Sequence, residues 1–466
     1  MNRRMIVLLA IGMLVLPTVI KADTPKAMTE VLNTASGSMV MMKCSYLDDI
    51  RGQVPMTGQC MCIDASGIFV TNVFEPTTQA AMIQNVTIVL PGVEKATLLA
   101  ELMGIDPISG LGFIKAAPPA GRQWTPIKFA AKSEVIVGKQ VTSLGLLSQD
   151  TGYAPYVGVA YVSTKVRLPG ELIYVTGGKL TNIGSPVYAA EKPEAIGVVG
   201  RQMFLDYQTP TKQGPTPLLL QNMQETAFFT PVEEFGSSLA KENWPDKNNP
   251  RRLPWMGVNM APVSDDQAKL AKLDVPAVMI DRVFSGYNGD KAGLKERDMI
   301  IAVGDKPLER LATPELVVQN FVRQVARMPV GEKLNLTVLR GDAKAPVTLM
   351  LESSPMRPDE AKRYYSDKLG LWVREKVDMD KYMAPEYIAN TPGGLVVIGV
   401  VDKSPAATDG LAGNDLILKI GEEPVSKVDT LKAAIDAAVN ATPPKSVVLV
   451  VRRGPDTRTI TIRPPR

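Results

Sequence analysis

Short apolar runs, each closed off by Gly, Pro, Asn or Asp, recur along the first half of the chain at 67–71, 86–90, 111–114, 140–144, 160–164 and 195–199. This spacing of strand and turn signals predicts a β-barrel or sandwich over 25–240. Further on the pattern changes. Leu316, Val317, Phe321 and Val325 share one face if 314–325 is helical, 431–439 reads as a second helix, and 446–452 as a closing strand. Between these halves, 241–253 is polar, proline-flanked and without apolar periodicity, which predicts a linker. At the start, Asn2-Arg3-Arg4 precedes an apolar run over 5–20, and Ala22 offers a small residue for cleavage before Asp23. That predicts a signal peptide over 1–22 and a periplasmic or secreted mature chain, with an uncleaved anchor as the alternative. The run is shorter than the span of about 20 residues that a bilayer requires.

Composition narrows the chemistry. A length of 466 residues predicts about three domains. With 45% hydrophobic and 21% charged residues the chain is globular, and 37 Gly and 37 Pro favour turn-rich β domains over helical bundles. A net charge of +4 without a long basic run gives no reason to expect nucleic acid. The chain has no histidine, which excludes imidazole as a general base and as a metal ligand. Its cysteines are Cys44, Cys60 and Cys62. Cys44 paired with Cys60 or Cys62 is one reading, buried reduced thiols the other, and Cys-x-Cys plus one thiol lacks a fourth zinc ligand. No metal and no cofactor are expected.

Three stretches resemble, in chain order, the catalytic landmarks of chymotrypsin-like HtrA/Deg serine proteases. Gly67-Ile68-Phe69-Val70-Thr71-Asn72-Val73-Phe74 is similar to the segment that ends on the catalytic His, with Phe74 at the base position. Asp106-Pro107-Ile108-Ser109-Gly110-Leu111 resembles the segment carrying the orienting Asp, with Gly110 in its place. Thr181-Asn182-Ile183-Gly184-Ser185-Pro186 has the frame of the nucleophile loop, with Ile183 at the serine position. A serine hydroxyl attacks only when a neighbouring base takes its proton and a third group orients that base. Phe74, Gly110 and Ile183 can do none of this, so the resemblance implies a protease fold without its triad. Ser185 with Lys179 would be the displaced alternative; a turn serine bonding locally is the plainer reading.

The remainder resembles two bacterial PDZ domains, over 254–355 and 364–466. Ala292-Gly293-Leu294-Lys295-Glu296-Arg297-Asp298-Met299-Ile300 is similar to the family's core motif, with Arg297 where Gly is usual. Gly410-Leu411-Ala412-Gly413-Asn414-Asp415-Leu416-Ile417 repeats it. By this resemblance Trp255, Met256, Gly257 and Val258 form one carboxylate-binding loop and Leu369, Gly370 and Leu371 the other, with Leu316 and Asn320 on the first groove helix. Such grooves add an extended peptide to a sheet edge and seat its carboxylate on backbone N–H groups, for which a residue without Cβ is suited. The expected fold class is mostly β, a chymotrypsin-like double β-barrel followed by two α+β PDZ domains.

The resemblance implies a secreted, non-catalytic protein that binds polypeptide C-termini or unfolded segments, as chaperone, adaptor or regulator in extracytoplasmic protein quality control. The alternatives are a serine endopeptidase with displaced catalytic residues and a structural subunit assembling with an active paralogue. A homotrimer or such a hetero-oligomer is the assembly implied.

Overall fold

The computed structural model describes residues 24–48, 52–74, 78–92, 96–121, 123–189, 193–200, 208–211, 214–217, 227–247, 251–358 and 360–465. The expected signal peptide over 1–22 lies outside them. After the helix Thr24–Ala35, seven strands form one sheet in the order Thr97–Leu99, Ile83–Val89, Met39–Asp48, Gly52–Asp64, Ile68–Thr71, Gly112–Lys115, Glu101–Ile105. Its two edge strands are consecutive in the chain, parted only by Ala100, whose N–H donates to the Val86 carbonyl at 3.1 Å. The sheet therefore curls round on itself. Six further strands close a barrel by pairing: Gly170–Thr176, Ala227–Pro231, Ala195–Val199, Pro186–Ala189, Gln140–Leu146 and Pro155–Leu168.

Each half has its own core, and a third lies in the seam between them. Met42, Cys60, Phe69, Ile88 and Ile114 fill the first half, Val141, Ile173, Val187 and Phe229 the second. Met39, Met61, Phe113, Leu144 and Leu146 join the two. All three cysteines are buried, free thiols, and burial pushes Cys60 up to about 12 and Cys44 and Cys62 up to about 11. A thiol so desolvated is a small core hydrophobe, not a nucleophile.

The stretch expected to be a linker makes contacts at its start. Trp244 packs against the seam core, Pro245 lies against Gly104, and Lys247 pairs with Glu101 at 2.5 Å. Sequence shows the polar residues of this stretch, whereas the contacts come from the sheet beneath.

Two α+β units follow, built alike. The middle unit has strands in the order Val258–Pro262, Val278–Val283, Met299–Val303, Lys333–Arg340, Ala343–Met350, with the helix Pro314–Ala326 packed on them. That helix starts where Thr313 accepts a hydrogen bond from the Leu316 N–H and Pro314 supplies a pre-set first turn. The C-terminal unit repeats the order with Leu371–Glu375, Leu395–Val400, Leu416–Ile420, Val447–Arg453 and Asp456–Ile462, and the helix Val428–Val439. The repeated motif has the same role in both units. Asp298 and Asp415 are buried; Asp298 accepts from the Lys295 N–H and takes a bidentate Arg340, while Asp415 accepts from the Ala412 N–H and takes a bidentate Arg453. One carboxylate thus fixes a turn and ties it to the neighbouring strand.

Candidate functional site: a protease-like seam and two grooves

The three landmark segments meet at the seam. Strand Ile68–Thr71 pairs with Gly112–Lys115, placing Thr71 opposite Gly112. Phe74, which follows this strand, is 3% exposed, and its ring lies on Gly112: a Cβ there would stand 2.3 Å from the Phe74 Cε2. The missing side chain at 112 makes the room that the ring occupies. Gly110, with φ 72°, closes a turn in which its N–H donates to the Asp106 carbonyl at 2.9 Å. Asp106 itself is buried and holds that turn, accepting from Ser109 N at 2.8 Å, Ser109 Oγ at 2.7 Å and Ser238 Oγ at 2.7 Å.

The loop 181–186 abuts the same strand end, since a Cβ at Gly184 would lie 3.4 Å from both the Asn72 nitrogen and the Gln59 carbonyl oxygen. Ile183 is 39% exposed, a hydrocarbon at the surface of this site. Ser185 is 0% exposed. Its oxygen accepts from Thr181 Oγ1 at 2.6 Å and from the Gln59 amide. Lys179 is exposed, whereas that hydroxyl is buried. Backbone donors of the loop are also taken up, one inside it and two by the neighbouring strands. Thr181 N donates to Ser143 Oγ at 2.8 Å, Gly184 N to the Val199 carbonyl at 3.0 Å, and Ser185 N to the Asn182 carbonyl at 3.1 Å.

Gln59, which sequence reasoning missed, is the hub of this loop. Buried on the strand Gly52–Asp64, it donates to the Asn182 carbonyl at 3.1 Å and accepts from the Leu146 N–H at 3.1 Å. The one signal in the sequence is an amide placed immediately before the apolar stretch Cys60-Met61-Cys62. No three His, Cys, Asp or Glu side chains among the described residues could together hold a metal ion.

The fit of Phe74 to Gly112 has a measurable consequence. Gly112→Ala drives a methyl into the ring, and such overpacking costs about 1–3 kcal/mol. In the Phe74→Ala background the same change should cost at least about 1 kcal/mol less, a coupling read by a double-mutant cycle in denaturant. Additive losses would contradict the contact.

In the middle unit, Gly257 has φ 72°, and a Cβ there would stand 2.7 Å from Asn288 Oδ1 and 2.8 Å from Tyr287 Cβ. Its carbonyl accepts from the Phe284 N–H at 2.9 Å. Met256 and Val258 are core residues. Trp255 is half-buried against Phe284 and Tyr287, with centroids 5.3 and 5.0 Å away. The strand Val258–Pro262 is the edge of its sheet, with Asn259 exposed and Met260 and Ala261 half-buried.

Leu316 and Asn320, expected on the groove helix, are 2% and 4% exposed. Asn320 donates to Glu309 at 3.4 Å, and Glu309 pairs with Arg167 of the protease-like half at 2.9 Å. Arg323 and Arg327 continue the helix stripe at i,i+3 and i,i+4 spacing. Arg323 donates to the Pro169 carbonyl at 3.0 Å and pairs with Glu234, as does Arg327 at 3.1 Å. Burial, with Arg327 and Arg167 nearby, lowers the Arg323 guanidinium to about 10. This helix is therefore docked on the protease-like half.

In the C-terminal unit, Leu369 and Leu371 are core residues at 0% exposure, and Gly370 has φ 66° with its would-be Cβ 2.3 Å from Ser404 Cβ. The loop expected to bind a carboxylate lies here beside a further strand. Strand Arg363–Ser366 pairs antiparallel with Leu371–Glu375 as an extra edge strand, and the Gly370 N–H donates to the Ser366 carbonyl at 2.7 Å.

Comparison with known proteins agrees with this architecture. The PDZ domain family model matches residues 368–463. Periplasmic serine endoprotease DegP of Salmonella typhimurium is 27% identical over 200 residues, 43% of this chain and 37% of that protein. DegP of Escherichia coli is 25% identical over 203 residues, 43% of this chain and 38% of that protein. These matches span about two fifths of those relatives. A longer match, to the probable DegP-like endoprotease of Hahella chejuensis, is 24% identical and covers 78% of this chain and 72% of that one. Among solved structures, the HtrA-type protease AlgW with decapeptide is 17% identical, with a TM-score of 0.50, covering 71% of this chain and 99% of that chain. The fold is that of an HtrA-type protease with a PDZ domain. The chain is thus similar to periplasmic proteases of the HtrA/DegP kind, with a PDZ domain matched in its last part. None of its helices among the described residues is long and apolar enough to cross a membrane.

Proposed function

We propose that this chain is a non-catalytic HtrA/DegP-like protein that binds polypeptide C-termini or unfolded segments outside the cytoplasm, as chaperone, adaptor or regulator. The observation that carries it is Phe74: a buried ring packed on Gly112 stands where the base would be, in a chain with no histidine. Hydrolysis through Ser185 would need its proton taken by a base, and the hydroxyl is instead buried between Thr181 and Gln59. The middle unit supplies the binding chemistry. Its edge strand offers backbone N–H and C=O groups to an extended chain, and it follows directly on the left-handed Gly257. The relatives named as periplasmic endoproteases support the location and the polypeptide ligand.

The docking of the middle unit on the protease-like half favours a second reading, a structural subunit assembled with an active paralogue or with copies of itself. The two readings part on peptide binding. A library of free C-terminal peptides should yield a motif bound by the purified chain, and Gly257→Val should weaken it at least about tenfold by forcing a Cβ onto Asn288 and straining a left-handed position. Binding that survives this change would remove the groove as the seat. No binding by a folded chain would leave the structural subunit.

A further inference from the structure

The two α+β units are one repeat, yet they place the strand before the glycine loop differently. In the middle unit this strand, Pro254–Trp255, pairs with Glu352–Ser353 and leaves Val258–Pro262 as an edge. In the C-terminal unit it crosses over. Arg363–Ser366 lies on Leu371–Glu375, with Tyr364 opposite Val373 and Ser366 opposite Leu371. The Glu375 N–H donates to the Lys362 carbonyl at 2.9 Å and the Gly370 N–H to the Ser366 carbonyl at 2.7 Å, so a backbone oxygen already occupies the loop donor. The side chain of Tyr364 packs on the unit's core. Its hydroxyl reaches Asp436 on the helix Val428–Val439 at 3.4 Å, and Lys432 stands 5.7 Å over its ring.

We propose that Arg363–Ser366 is an internal ligand of the C-terminal groove, which takes up an external polypeptide only when this strand leaves. The proposal rests on the polypeptide-binding reading above and adds its regulation. Because side chains alternate along a strand, the same segment also faces outward. Tyr365 stacks on Trp372 at 4.2 Å, and both pack against Leu47 and Met82 of the protease-like half. A cavity of about 760 Å³ runs along this flank, bounded by Gln84, the strand and Ile435, Val439 of the helix. The strand borders that space, and of its residues only Tyr364 packs on the unit's core. Groove access and the boundary with the protease-like half are thus coupled, because Tyr364 holds the groove while Tyr365 covers Trp372, which packs on the neighbour.

The test uses the full chain and a synthetic free-carboxylate peptide with the sequence of residues 361–366, Ala-Lys-Arg-Tyr-Tyr-Ser. Tyr364→Asp sets a carboxylate against Asp436, Tyr365→Ala loosens only the outer face, and Tyr364→Phe keeps the ring as the control. Amide exchange at Gly370 and Glu375 should quicken at least about tenfold in the first two variants, with Val447–Arg453 still protected. Both should bind the peptide at least about tenfold more tightly than wild type or Tyr364→Phe. Unchanged exchange at those two amides in Tyr365→Ala would overturn the internal ligand, whatever the fate of Tyr364→Asp. Quickened exchange without peptide binding would overturn uptake, and with it the polypeptide-binding reading of this groove. Wild type binding the peptide as tightly as the variants would show the groove already open.

Discussion

Asp380→Ala should destabilise the C-terminal unit by about 3–5 kcal/mol, the cost of leaving one partner of a buried ion pair uncompensated. Asp380 is 0% exposed and Arg374 8%. The guanidinium reaches the carboxylate through both Nη atoms, at 2.8 and 2.6 Å, and the Val377 N–H adds a third bond at 2.8 Å. Without Asp380 the cation keeps one bond, to the Glu375 carbonyl at 3.1 Å, and lies too deep for water to replace the others. Arg374 sits on the strand Leu371–Glu375, so the pair anchors the floor of the groove. Calorimetry should place the loss in this unit, as a fall of more than about 10 °C in its transition. The double change Arg374→Met with Asp380→Leu should recover most of it, because an apolar pair of similar size demands no desolvated charge. A single-mutant loss below about 1 kcal/mol, the scale of an exposed pair, would contradict this.

The second large effect is expected at Trp372. It is 1% exposed although its neighbours Leu371 and Val373 point into the unit's own core. Its burial comes from Tyr365 and from Leu47 and Met82 across the boundary. Trp372→Ala should cost about 3–5 kcal/mol, typical of a buried tryptophan. Most of that belongs to docking, so the C-terminal unit should separate while staying folded. Small-angle scattering should show a larger radius of gyration, and limited proteolysis should cut between 354 and 362. An unchanged radius would mean the boundary is held elsewhere.

Periodicity and the repeated motif carried much of the fold into view. The expected strands at 67–71, 140–144 and 195–199 correspond to Ile68–Thr71, Gln140–Leu146 and Ala195–Val199, and the two groove helices to Pro314–Ala326 and Val428–Val439. One departure acquired a reason. Arg297, where the family has Gly, sits at φ 69°, and Asn414 holds the same place in the repeat at φ 66°. Glycine is usual there because the backbone is left-handed, and Asn tolerates that conformation better than Arg.

What stayed hidden depends on contacts between distant segments. Phe74 reads as a lost base, but that its ring needs a glycine at 112 follows only from the pairing of Thr71 with Gly112. Leu316 and Asn320 have the spacing of a groove face, and nothing local shows that Arg167 pairs with Glu309, the partner of Asn320, or that Pro169 takes Arg323. Arg363–Ser366 carries no signal that the sequence analysis used; its place beside Leu371–Glu375 is set by Tyr364 and Tyr365 finding partners on opposite sides.

Incubation of the purified chain with an unfolded, disulfide-free protein, beside Ser185→Ala, tests the central claim most directly. A site with Phe74, Gly110 and Ile183 at the triad positions predicts no fragments above the buffer control from either protein. Fragments produced by the wild-type chain and abolished in Ser185→Ala would contradict it and make the chain a protease with a displaced nucleophile.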